Sequence, residues 1–426
     1  NLKILLRLAE QGGEIDRPVR DRLLAAGADD VVEAILADSL QQAQSLALSE
    51  LSSAELIDAY EHLMESLETE GMLDRTIECL PSTQEMKERS RTETGLTRPE
   101  LAVLSAYAKR SLAEEVFASE LSDSPSLLED LVSYFPGEIA QQFGHLVWDH
   151  PLRRELIATI VANDVVDAQG PTFVSRLASR QGVPAAQVVA AYRTARDVVG
   201  GSARRSSIEE LFGTIEAPVW NEMMLANDRL VATLTRWYLR PSAGVTPGVT
   251  PEEFAEMEVE AGEWGSLQWR LERSARIDSL KSAGVPPAVA RQTVLAFDLV
   301  HAPDIIEVAQ STGRSRGDVA RVFYRIGQVL RLDDLERVLG RLKLADPWQR
   351  WALQTVEDDL LAVRRSLAER AIAEADGQPV NKAIEQFLAR RVKAVGRVVE
   401  LAHSIESAAV DDPAPLIVVT RQIEAL

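Results

Sequence analysis

Apolar residues that step by three and four leave this chain little choice but helices. Leu353, Val356, Leu360, Val363 and Leu367 alternate those spacings and make a heptad seam. Ile384, Leu388, Val392, Val395 and Val399 make a second. A turn at Asp376-Gly-Gln-Pro379 separates them, which predicts a long antiparallel αα-hairpin near the C-terminus. Met223, Ala226, Leu230, Leu234 and Trp237 form a similar stripe upstream. Strand signals are scarce. Leu2 to Leu6 reads as a short strand or a first helical turn, and Leu416 to Val419 as a brief β-branched run; neither forms a sheet alone. The expected class is all-α, a multi-helix bundle or array in two helical modules.

Composition agrees. Hydrophobic residues make up 46% of the 426, enough for packed cores, while aromatics are only 5%. The net charge of −20 repels polyphosphate and anionic membrane surfaces, so neither is expected as a main partner. Cys79 is the one cysteine, so no disulfide or thiolate metal site forms within the chain, and a reducing cytosol fits. Its apolar neighbours Ile77 and Leu80 predict a buried small hydrophobe. No apolar run approaches the ~18 residues of a membrane span. With no initiator Met, Asn1 reads as a cut inside a longer protein.

The most particular wording is Gly95-Leu-Thr-Arg-Pro-Glu-Leu-Ala-Val-Leu-Ser-Ala-Tyr-Ala-Lys109. A helix start explains part of it: Thr97 and Glu100 have capping-box spacing, and Pro99 is tolerated in a first turn. Ser82 and Glu85 repeat the box after Pro81. Further on come Tyr134-Phe-Pro136, His150-Pro-Leu-Arg-Arg-Glu-Leu-Ile-Ala-Thr159, Asn163-Asp164 and Gly170-Pro-Thr-Phe-Val174. In that order and at those intervals, the segments resemble the C-terminal helical region of the large bacterial NAD-specific glutamate dehydrogenases. The resemblance is clearest from residue 1 to about 240. It implies a parent that converts L-glutamate, NAD and water to 2-oxoglutarate, ammonium and NADH. It also implies a cytoplasmic homo-oligomer in which this non-catalytic piece scaffolds an upstream dehydrogenase domain. Asn1 to Leu6 would be the seam to that domain.

Arg240-Pro-Ser-Ala-Gly-Val-Thr-Pro-Gly-Val-Thr-Pro251 cannot continue a helix and reads as a linker. The expected division is a helical junction over 1–94, a motif-bearing module over 95–240, the linker over 241–251 and a C-terminal module over 252–426. Acidic residues from Glu252 to Glu263 suggest that the last module opens on a solvated helix. Val174 to Val199 and Ile305 to Leu330 also echo each other at an offset of 131 residues, pairing Gly182 with Gly313 and Tyr192 with Phe323. Duplication or a shared hairpin demand would each produce this.

Chemistry-bearing patterns are missing. There is no G-x-G-x-x-G turn for a dinucleotide, and the resemblance places the family's catalytic motifs upstream. No catalytic, cofactor-binding or metal residue is assigned. His62, His145, His150, His301 and His403 have no ligand spacing. Glu357-Asp358-Asp359 reads as a hydrated face. Arg153 and Arg154 sit at a helix start, where cations are disfavoured, and call for an outside partner, either a carboxylate from another segment of the fold or an interface with the dehydrogenase domain. Two rival readings remain: a DNA-binding helix-turn-helix at Ile305 to Leu330, with Arg316, Arg321 and Arg325 on its second helix, or a free-standing helical interaction protein.

Overall fold

Every regular element among the described residues is a helix. The computed structural model describes residues 1–240, 248–265, 267–340, 342, 346–375, 378–408 and 412–426. Most of the expected linker, and the centre of the expected hairpin turn at 376–377, lie outside those residues. By internal packing the chain divides into two compact units, Asn1–Arg193 and Thr194–Leu426.

The first unit opens with α1 (Leu2–Gln11), α2 (Arg17–Ala26) and the long α3 (Ala28–Ser52). Leu2 to Leu6 is therefore helix. With no partner strand, the segment buries Leu5, Leu6 and Ala9 on one helical face. After α4 (Ile57–Thr69) and α5 (Thr83–Arg91) comes α6 (Arg98–Ala118), which buries Leu101, Leu104, Ala108, Leu112 and Val116. Two short helices, α7 (Leu128–Ser133) and α8 (Gly137–Phe143), lead to α9 (Arg153–Gln169), which packs along α6. Gly170, at φ 82°, ends α9. Then α10 (Phe173–Gln181) leads to α11 (Ala185–Val198), which contains the boundary between the units.

In the second unit, α12 (Gly201–Glu209) precedes α13 (Ala217–Tyr238), where Met223, Ala226, Leu230, Leu234 and Trp237 are all buried, as their spacing demands. Next are α14 (Pro251–Ala261), α15 (Leu267–Ser282), α16 (Pro287–Leu299), α17 (Ala302–Thr312) and α18 (Arg316–Val329). The acidic α14 is more than a solvated face. It buries Phe254 and Met257, and its carboxylates Glu253, Glu256 and Glu258 hold Arg316 and Arg204.

After α19 (Leu332–Leu339), α20 (Pro347–Ala373) carries the first heptad seam, with Val356, Leu360, Val363 and Leu367 buried. The second limb differs from expectation. It is two helices, α21 (Val380–Arg390) and α22 (Val392–Ser407), broken at Arg391. Val392, an expected seam residue, is 67% exposed, while Phe387 and Val398 are buried in its place. The last helix is α23 (Ala414–Glu424). It takes in the predicted β-branched run and buries Leu416, Val419 and Ile423 at helical spacing.

The 131-residue echo extends well beyond the hairpins. Gly182 and Gly313 are both left-handed, at φ 64° and 66°. α11 and α18 begin and end at the same offset. Gly200 and Arg331, again 131 apart, are both left-handed caps, at φ 61° and 57°, and α12 and α19 start immediately after them.

Candidate functional site in the α6 and α9 pair

Two of the motif segments that sequence reading singled out, 95–109 and 150–159, lead into and form parts of α6 and α9. Gly95 approaches α3 so closely that a Cβ there would lie 2.0 Å from Ser53 Oγ and 2.9 Å from the Ala54 nitrogen. Only glycine fits without a backbone shift. Two residues on, the Thr97–Glu100 capping box forms, with the Thr97 N–H donating to Glu100 at 2.7 Å. The same carboxylate receives both terminal nitrogens of Arg89, at 2.7 and 2.8 Å. Burial raises the Glu100 pKa, but Arg89 and Thr97 outweigh it and hold the group below its ordinary range. Arg98 reaches Glu50 at 2.7 Å, and the Tyr107 hydroxyl donates to Glu78 at 2.8 Å. At the end of the motif Lys109 meets Asp167 of α9 at 2.7 Å, with Asp167 only 4% exposed.

At the start of α9, Arg153 and Arg154 both reach Asp123, at 2.7 and 3.0 Å. Arg153 also lies over the Trp148 ring and Arg154 over Phe117. The carboxylate partner expected for this pair is present. His150 is buried, its Nδ1 accepting from the Leu152 N–H at 3.1 Å while Nε2 faces the Asn1 carbonyl at 3.2 Å. That arrangement requires the Nε2–H tautomer, and burial lowers the pKa of the ring. His145 lies apart on Glu14, at 3.0 Å. His62 faces Ser179, His301 is buried against Phe323, and His403 faces Arg331.

Between α6 and α9 runs a groove of about 420 Å³, lined by Lys109, Arg110, Phe117, Glu155, Thr159 and Asn163 among others. Its cations already hold carboxylates: Lys109 holds Asp167, and Arg110 holds Glu114 at 3.1 Å. The described residues contain no strand, so they build no strand-to-helix turn for a pyrophosphate. Nor do they gather three His, Cys, Asp or Glu side chains as a metal would need. No described helix is long and apolar enough to cross a membrane.

Two expectations about single groups fail. Cys79 is exposed, at φ 54°, because the 74–79 turn points it and Ile77 outward while Leu73 and Leu80 take the buried places. Glu357 and Asp358 are half-buried and face Arg236 at 3.3 and 3.9 Å, and burial raises the Asp359 pKa. These ion pairs tie that face of α20 to Arg236 of α13.

The α17–α18 hairpin has the turn of a helix-turn-helix, yet α18 buries Val319, Ala320, Val322, Phe323, Tyr324, Ile326 and Gly327. A helix covered on so many sides belongs to a core. Arg316 holds Glu253 and Glu256, and Arg321 holds Asp318.

Comparison with known proteins gives this helical frame a family. A family model described as "Glutamate dehydrogenase, C-terminal" matches residues 93–425. The chain belongs to that family. It is 36% identical to the NAD-specific glutamate dehydrogenase of Halomonas elongata over 387 residues, covering 90% of this chain and 24% of that protein. Identity to the enzyme of the same name from Pseudomonas aeruginosa is 31% over 429 residues, covering 99% and 26%. For Mycobacterium tuberculosis it is 29% over 441 residues, covering 100% and 26%. The chain therefore spans about a quarter of the length of the curated relatives it matches. Reading the sequence located the motif segments but missed Arg89, Asp123 and Asp167 as their partners. Single acids and bases at such separations carry no local signal.

Proposed function

We propose that this chain is the non-catalytic helical portion of an NAD-dependent glutamate dehydrogenase. The parent would convert L-glutamate, NAD and water to 2-oxoglutarate, ammonium and NADH. The observation that carries this reading is the use made of the family-like stretches. Gly95, Glu100, Lys109, Arg153 and His150 are each engaged in close packing, a cap, an ion pair or a backbone bond. The groups that would bind NAD and glutamate then belong to the part of the longer relatives that this chain does not span. One exposed thiol and a heavily acidic surface fit a reducing cytoplasm.

In this reading the helical portion holds the dehydrogenase domain in a working arrangement and contributes to subunit contacts in a homo-oligomer. Residues 1–94 would form the junction and 95–240 the motif-bearing module. The test is an assay with glutamate and NAD. The full-length enzyme should produce NADH and this chain alone should not. Turnover by this chain alone would overturn the reading.

A further inference from the structure

The N-terminal half of α3 stands exposed among the described residues. Thirteen consecutive residues, Ala28 to Leu40, are exposed, a helical arm roughly 20 Å long at ~1.5 Å per residue. Arms of this kind are normally polar. This one carries Val32, Ile35, Leu36 and Leu40, which are 55%, 59%, 65% and 46% exposed. Their i, i+3, i+4, i+8 spacing sets them on one face, the pattern by which a helix lies in an apolar groove. At ~100° per residue, Glu33 and Asp38 flank that stripe on opposite sides. Residues Ala28–Ser52 include no lysine or arginine.

The charge pattern selects the occupant. A second copy of α3 would bring acidic flanks against acidic flanks, on a chain already at −20. A groove with an apolar floor and a Lys/Arg rim suits it. Position points the same way. The C-terminal family match begins at residue 93, so α3 lies outside it, yet the relatives match 99% and 100% of this chain. The arm thus belongs to the stretch between the C-terminal family and the remaining three-quarters or so of those proteins. We propose that the α3 arm docks, through Val32, Ile35, Leu36 and Leu40, into a basic-rimmed apolar groove on the dehydrogenase portion of the same parent chain. This rests on the functional reading above.

Hydrogen exchange of the backbone amides of residues 28–40 tests it, compared between the full-length enzyme and this 426-residue chain. Docking slows exchange ~10-fold or more in the full-length enzyme only, independently of protein concentration. Leu36→Asp in the full-length enzyme returns exchange to the rate of the shorter chain. Because Leu36 is exposed in the shorter chain, the same change there leaves its helical circular dichroism intact. Equal exchange in both proteins overturns the docking. So does protection in the shorter chain that grows with its concentration, since a second copy is then the occupant. Glutamate-dependent NADH formation by the unmodified full-length enzyme reads the underlying assignment separately. If that activity is present while residues 28–40 exchange freely, only the docking fails.

Discussion

Glu100 joins two helices with one carboxylate, closing the cap of α6 and gripping Arg89 at the end of α5. Charge-assisted bonds of this kind contribute about 2 kcal/mol where they are sheltered, and Glu100 is 14% exposed. Its pKa lies below the ordinary 4.5, because Arg89 and the Thr97 bonds overcome the upward push of burial. The unfolded chain takes up this proton near the ordinary value and the folded chain only at lower pH. The contribution is therefore complete above about pH 4.5 and disappears as pH falls through the folded pKa. Glu100→Gln should cost about 2 kcal/mol of urea unfolding free energy at pH 7 and less at a pH well below 4.5. An equal loss at both values would mean that shape, not charge, holds this joint. The cap was legible in the sequence because its partners are three residues apart. Arg89 was not, because nothing local distinguishes it from Arg91, which is 72% exposed and holds Glu88.

Helices were readable and their interruptions only partly so. Periodicity and caps are local, so α6, α13 and α20 follow from spacing alone. The break between α21 and α22 does not. Arg391 leaves the helical region at φ −119°, with its guanidinium on Glu374 and the Leu426 carbonyl, and no sequence rule announces those tertiary contacts. The 131-residue register was legible between the two hairpins, but its extension to α12 and α19 needed the backbone, because the side chains there differ in charge. Glu336 of α19 holds Arg364 of α20, whereas Arg205, its counterpart by offset, holds Asp228 of α13. The two helix pairs are fastened by ion pairs of opposite polarity. Gly182 and Gly313 are both glycine because each takes a left-handed turn, and a Cβ at either would meet nothing within 4 Å. The cost of Gly182→Ala or Gly313→Ala should thus be backbone strain alone, about 1–2 kcal/mol each and nearly equal. Urea unfolding followed by circular dichroism checks this. A cost at one site several times that at the other would mean that the open turns are constrained by something besides φ.

For the whole chain, charge favours the proposed scaffold over a nucleic-acid reader. Sixty-six acidic residues outnumber 46 basic ones. Many of the arginines are already engaged within their own unit, including Arg153 on Asp123, Arg204 on Glu258, Arg273 on Asp298 and Arg364 on Asp333 and Glu336. Duplex affinity depends on free cations displacing counterions from phosphates, so an arginine that must first release a carboxylate adds little. The helix-turn-helix candidate is the strictest case. Its arginine at the start of α18 is held by two glutamates of α14, and the helix itself is embedded in the second unit. A labelled DNA duplex titrated with this chain should therefore show only weak association at 50 mM salt and none at 200 mM, the range over which phosphate contacts lose most of their strength. Tight binding that falls steeply across that range would show that a basic face remains available, and would return α17 and α18 to the reading of a DNA-binding hairpin.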